Sequence, residues 1–438
     1  MKILYRNEAD FESQLGAMLR RAAFSPEIEE AAAAILDDVA ARGDTALVEY
    51  AARFDHVSLT PEQFAVSAAE MDAAASRICA QTRDAIDLAV GNIRDFSRRR
   101  LPQDWSYSPR PGVVLGEQFH PLDRVGCYVP GGTAPLISTV CHTVTLAAVA
   151  GVPQIIVCTP PAADGSVNPA ILYACRKAGA TAVYRLGGVY AIGAMAYGTA
   201  SIPQVEKICG PGNAFVAAAK RRVYGSVALD LVAGPSEVMI IADDNANPAF
   251  IAADILAQAE HGSGREQAVL VSTSRELLRR TEREVLRQSA MLKRQFCIPK
   301  VLENGVFLVE ARDLEEAARI AGKYAPEHLE LHVANPEALA PQIKAAGAIF
   351  LGEWTPEPVG DFVAGPSHVL PTGGTGKYFN GLTADSFFRR TSLVKYGHEA
   401  LEKELPALEQ FAACEGLDGH GRSGTIRRDG AEAAGGRI

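Results

Sequence analysis

Apolar residues recur at helical spacing through the first hundred positions and then give way to short β-branched runs. The segment SPEIEEAAAAILDDVAARG has Ser25 as a cap, Pro26 at the first helical position, acids in the first turn and a closing glycine. That combination predicts a helix. GDTALVEYAARFD and the stretch from Asp72 to Arg98 continue the helical spacing. From about Val125 the strand-like runs VGCYVPGG, QIIVCTP, AVYRLGG, VEKICGPG and VALDLVAG alternate with helical stretches, and VMIIAD, QAVLVST, GVFLVEA, LELHVA and AIFLGEW form a second such series. This alternation predicts parallel sheets with crossover helices.

The expected fold class is therefore α/β, with two doubly wound Rossmann-like units, an N-terminal helical extension and a mostly helical C-terminal tail. The expected domains are an arm at 1–21, a first α/β unit at 22–127 plus 237–379, a second at 128–236, and the tail at 380–438. The tail is too short to form a core of its own, so it must pack on its own body or on a partner subunit. Its last residues, RRDGAEAAGGRI, read as disordered. The cleft at the carboxyl ends of the strands is the expected ligand site.

Composition narrows the functional classes. At 438 residues and 46.5 kDa the chain exceeds a single hydrophobic core. A net charge of -9 and a pI near 5.6 argue against a nucleic-acid or anionic-membrane partner. No run of 18 or more apolar residues is present, so no membrane span is expected. Charges interrupt MKILYRNEADFESQL where a signal peptide needs an apolar stretch, which makes a cytoplasmic location the expectation. None of the eight cysteines forms a C-x-x-C pair, and most lie in apolar segments. They read as small buried hydrophobes of a reducing compartment.

The chemistry concentrates late in the chain. Glu327 and His328 are adjacent in YAPEHLELHV, a pairing suited to moving protons off an alcohol and off a water. Gln258 and His261 are three apart on a helix that starts at Asn247–Pro248, so they share a face and their amide oxygen and imidazole nitrogen can reach one ion. Asp361 in VGDF, His368 in GPSHVLPTGG, and Glu415 with His420 in EGLDGH complete the set of candidates. Each has a plainer reading: His261 as a partner of the helix dipole, Asp361 as a turn residue, His420 as a surface histidine. His56, His120, His142, His332 and His398 read as structural or surface residues. No G-x-G-x-x-G follows a strand. YVPGG, RLGGVYAIG and CGPGNAF nevertheless place glycines between a strand and a helix, where backbone N–H groups can approach a phosphate or simply form a tight turn.

Seven ordered motifs, RVGCYVPGG, KICGPGNAFVAAAKR, DLVAGPSEVMIIAD, LAQAEHG, YAPEHLEL, GDFVAGPSHVLPTGG and EGLDGH, together resemble the histidinol dehydrogenase family from about residue 20 to 420. The resemblance implies oxidation of L-histidinol through L-histidinal to L-histidine, the last steps of histidine biosynthesis, with two NAD and one zinc per subunit. Carried onto this chain, it implies zinc ligands Gln258, His261, Asp361 and His420. Substrate contacts would come from Ser236, His328, Glu357, His368 and Glu415 besides the ligands. His328 would be the general base and Glu327 the activator of water. NAD contacts would be Tyr128 and Asn213, with Tyr190 standing where the family carries glutamine. The family is a homodimer with shared active sites, which makes the C-terminal segment a dimerisation tail whose His420 and Glu415 reach the partner subunit. Two other readings stand beside this one: a zinc and NAD dehydrogenase of another small amino or hydroxy alcohol, and a non-catalytic zinc-binding protein, against which the presence of both Glu327 and His328 speaks.

Overall fold

The computed structural model describes residues 1–21, 26–131 and 135–433. Its contacts divide the chain into two compact units, Met1–Leu101 with Leu122–Phe387, and Pro102–Pro121 with Phe388–Ile438. The expected Ser25 cap and Gly132 of YVPGG lie outside the described residues; the helix after Ser25 begins at Pro26 and runs to Arg42.

The first unit contains two parallel sheets. One has five strands in the spatial order Ala182–Arg185, Gln154–Thr159, Arg124–Tyr128, Lys207–Cys209, Ala228–Leu229. The other has six, in the order Lys2–Leu4, Val306–Glu310, Gln267–Ser272, Glu237–Ala242, His328–His332, Ala348–Leu351. Leaving out the edge strand Lys2–Leu4, both sheets place their strands as 3-2-1-4-5 in chain order. The N-terminal arm thus begins as a strand, paired in parallel with Val306–Glu310, before the helix Phe11–Leu19.

Both faces of the six-stranded sheet are covered. Along Glu237–Ala242, Val238 and Ile240 pack with Ile251, Ile255 and Ala259 of the helix Pro248–Ala259. Met239 and Ile241 face the opposite way, with Leu329, Leu331, Ala321 and Tyr324. Since side chains alternate along a strand, His328, Glu330 and His332 are directed towards the helix Pro248–Ala259.

The helices Pro26–Arg42 and Asp44–Phe54 bury Leu36, Val39 and Leu47 against Ile192 and Met195 of the helix Gly188–Tyr197 and Ile208 of the five-stranded sheet. The expected grouping placed residues 22–127 with the metal-side sheet instead. An apolar stripe says that a helix packs, but does not say on which sheet. The expected helix from Asp72 to Arg98 is broken: Ala68–Ala73 and a 3₁₀ turn at Ala74–Arg77 precede Ala80–Arg98, with Ile78 and Cys79 extended between them. The earlier start follows from a capping box, in which the Ser67 hydroxyl accepts from the Glu70 N–H and Glu70 accepts from the Ser67 N–H.

The tail is mostly helical, as expected, and the second unit adds a strand to it. Phe388–Tyr396 is a nine-residue strand paired antiparallel with Val113–Pro121, which also pairs with Trp105–Tyr107. The strand is exposed along most of its length, so no inward-outward alternation marks it, and its partner lies far upstream. Two helices follow, His398–Glu415 and Asp418–Ala433. The second occupies part of the segment expected to be disordered; residues 434–438 lie outside the described residues.

Among the described residues no helix is long and apolar enough to cross a membrane. Six of the eight cysteines are buried, with Cys79 and Cys414 exposed. Burial pushes the Cys127 and Cys141 thiols up to about 12, the opposite of a nucleophile's setting.

Candidate active site

Glu327 and His328 lie at the amino end of the strand His328–His332, beside Ser236 and Glu237 at the start of the neighbouring strand. The expected ligand edge was the carboxyl one. In the six-stranded sheet the polar groups gather at the amino edge instead. The crossover helix Pro248–Ala259 runs back against the strands, so its last residues arrive there.

His328 is buried, and its ring touches four groups. Its Nδ1 donates to the backbone carbonyl of Glu237 at 3.2 Å. Nδ1 also lies 3.7 Å from Glu357 Oε1 and 3.8 Å from Glu327 Oε2, and Nε2 lies 3.3 Å from Asp361 Oδ1. Burial works against the charged imidazole, yet Glu357, Glu327 and Asp361 together hold it well above its ordinary value. Asp361 is the counterpart. Burial opposes its charge too, but His328, His368 and His261 keep it well below the usual carboxylate range.

Glu327 accepts the Glu237 backbone N–H at 2.9 Å. Burial pushes its carboxyl group up to about 8, against the opposing pull of His328. Glu237 is itself buried, with its carboxylate paired to Arg21 and accepting from the Gly373 N–H at 3.0 Å. These strand ends are therefore tied to the chain's N-terminal segment.

His261, Glu357 and Asp361 present ligand atoms that all lie within 4.8 Å of one another. Gln258, one turn back from His261, is fully buried, and neither atom of its side-chain amide has a hydrogen-bond partner among the described residues. Glu357 Oε2 and His368 Nε2 are likewise buried and without a partner among the described residues. Orphaned buried polar atoms are costly unless something satisfies them. An imidazole and two carboxylates converging here, with the Gln258 amide one helical turn back from His261, fit a divalent cation such as zinc. The ring of His368 stacks on that of His142 with centroids 4.5 Å apart. Burial, with the charge of His368 behind it, lowers His142 to about 3, so this neighbour is neutral.

The residues expected to contact NAD lie at or just beyond the carboxyl ends of strands in the five-stranded sheet. Tyr128 ends its strand, and its hydroxyl accepts from the Gly188 N–H at 3.0 Å. Asn213 caps the helix Ala214–Val223, its Oδ1 accepting from the N–H groups of Phe215 and Val216. Between them, Gly210 adopts φ 113°, and a Cβ there would strike the Tyr128 carbonyl. Tyr190 is 1% exposed, and its hydroxyl donates to the Asp55 carboxylate. Glu415 and His420 belong to the second unit, where both are exposed.

Several members of the site escaped the sequence reading: Glu237, Asp254, Glu330, His332 and the neighbouring His142. One signal was available. Asp254 is an acid inside the otherwise apolar PAFIAADILAQA, one helical turn before Gln258.

The family model for histidinol dehydrogenase matches residues 18–428. A histidinol dehydrogenase of Cereibacter sphaeroides is 45% identical over 422 residues, covering 96% of each chain. One of Heliobacterium mobile is 44% identical over 395 residues, covering 90% of this chain and 92% of that one. The crystal structure of histidinol dehydrogenase from Elizabethkingia anophelis superposes with a TM-score of 0.92 at 34% identity, covering 99% of both chains. With a matching family model across nearly its whole length, and relatives this similar over almost all of theirs, the chain belongs to the histidinol dehydrogenase family.

Proposed function

We propose that this protein oxidises L-histidinol to L-histidine by way of L-histidinal, reducing two NAD, and that it does so as a homodimer with one zinc per subunit. The observation that carries the reading is the buried pair of Glu327 and His328 at the amino edge of the six-stranded sheet, facing the converging groups of His261, Glu357 and Asp361. Gln258, His261 and Asp361 would hold the metal, with His420 as a fourth ligand supplied by the partner's copy. When bound, zinc supplies a cationic anchor for the substrate's nitrogens and offsets the carboxylate charge around His328.

The proton chemistry belongs to the chain. His328, pinned through Nδ1, presents Nε2 to take the hydroxyl proton as hydride leaves for the first NAD. Glu327 takes a proton from the water that adds to the aldehyde. His328 then takes the hydroxyl proton of the hydrate as the second hydride departs. Ser236, Glu357, His368 and Glu415 would orient the imidazole and amine of the substrate. Tyr128 and Asn213 would border the nicotinamide cofactor at the carboxyl edge of the five-stranded sheet. A cytoplasmic location accords with this role.

The test counts NADH per L-histidinol consumed by zinc-loaded protein. Two NADH, lost on metal chelation, is the expected result. No NADH from zinc-loaded, dimeric protein would reject the reading and direct the search to other small amino or hydroxy alcohols.

A further inference from the structure

The groups of the candidate site occupy one end of a longer polar seam. On the strand His328–His332, Glu330 and His332 follow His328 on the same face. On the helix Pro248–Ala259, Asp254 precedes Gln258 by one turn. Glu330 is 0% exposed, His332 2% and Asp254 5%. His332 Nε2 lies 3.3 Å from Glu330 Oε2 and 4.0 Å from Asp254 Oδ2. Among the described residues neither nitrogen of His332 has a hydrogen-bond partner, and Glu330 Oε2 has none. The other carboxylate oxygen, Glu330 Oε1, accepts the backbone N–H of Glu357 at 2.7 Å.

Stability does not account for this triad. Three ionisable side chains sealed in an apolar interior are expensive, and well-packed apolar residues of similar volume are commonly as stable or more so. Geometry does account for it. The strand carries His328, the helix carries Gln258 and leads to His261, and the helix Glu357–Phe362 carries Glu357 and Asp361. These three elements meet at Glu330.

We propose that Glu330 is a positioning residue for the metal and proton-transfer groups. Its Oε1 fixes where the helix Glu357–Phe362 begins relative to the strand, and Asp254 and His332 flank its carboxylate from the helix and the strand. The spacing of His261, Glu357 and Asp361 is set through this junction. The inference rests on the reading that His261 and Asp361 bind a metal.

The test uses cobalt as the metal, titrated into the metal-stripped full-length protein and followed by its visible absorption, beside steady-state kinetics. Glu330→Leu is expected to weaken cobalt binding about 10- to 100-fold, the usual effect of removing a supporting partner, in protein that circular dichroism shows to be folded. Glu330→Gln, which keeps the acceptor for the Glu357 N–H, is expected to recover most of that loss. Glu330→Leu binding cobalt as tightly as the unaltered protein, with the same kcat and KM, overturns the inference. So would a second cobalt per subunit that Glu330→Leu removes without changing activity, since the triad would then be a metal site (its ligand atoms lie within 4.8 Å of one another). Should Glu330→Leu fail to fold, Glu330→Met is read in the same way; loss of the fold in both assigns the triad to stability and also overturns the proposal. Cobalt binding that survives His261→Ala in an otherwise unaltered chain sinks the metal reading itself, and is distinguishable from failure at Glu330 alone.

Discussion

The imidazole of His328 is tied through Nδ1 to the backbone carbonyl of Glu237, 3.2 Å away. A carbonyl oxygen only accepts, so this contact assigns the proton to Nδ1 and leaves Nε2, when the ring is neutral, with the free lone pair. His328→Asn is expected to lower kcat about 10²- to 10⁴-fold, the range typical for a lost acid–base group. Zinc content, measured by elemental analysis, should stay at the unaltered level. A variant that turns over normally would remove His328 from the chemistry.

Glu327 offers a readout in pH. Burial holds its carboxyl group near about 8 in the folded metal-free chain, against an ordinary value of 4.5. A raised folded value means that the folded chain keeps a proton the unfolded chain has released. The associated stability is fully present below 4.5 and is lost as pH rises through about 8. Relative to Glu327→Gln, the unfolding temperature of the unaltered metal-free protein should therefore fall across that window and level off above it. In turnover, Glu327→Gln should reduce histidinal but not histidinol as a productive substrate, which stopped-flow measurement of each half-reaction resolves.

Tyr190 is buried with its hydroxyl on Asp55, itself partly buried and raised above its ordinary value by that burial. Tyr190→Phe leaves the carboxylate short of a partner, at a cost of about 1–3 kcal/mol. Calorimetry should show a fall of several degrees in unfolding temperature, while KM for NAD moves little. The reverse pattern, a raised KM without loss of stability, would make Tyr190 a direct cofactor contact.

The proposed sharing of active sites makes a sharp prediction for mixed dimers. His328→Asn and His420→Ala homodimers should each be nearly inactive. If His420 serves the partner's site, refolding the two variants together gives hybrids with one intact site, and about a quarter of full activity returns. No recovery from verified hybrids would place His420 in its own subunit's site or outside the chemistry.

The parallel sheets were readable because each strand is a short apolar run between turn residues, as in QIIVCTP and VMIIAD. The strand Phe388–Tyr396 was not, because its exposed surface leaves no alternation and its partner lies at Val113–Pro121. Within the site, Glu327, His328, Gln258, His261 and Asp361 stood out through local spacing and motif. Glu330, His332 and Glu237 did not, because their roles are contacts across elements: Glu330 with the backbone of Glu357, and Glu237 with Arg21. The edge of the sheet that carries the site was misjudged for a related reason. The direction in which a crossover helix delivers its last residues depends on the assembled fold.

The two sheets share a strand order, but the candidate groups stand at the amino pole of one and the expected NAD contacts at the carboxyl pole of the other. In the six-stranded sheet the turns after Ser272 and Glu310 open at the pole away from His328, and none of the candidate groups stands on them. That pole is a natural handle. A tag or fluorophore introduced at the exposed Arg312 would report on the assembly, or tether it to a surface, while leaving the reacting groups undisturbed.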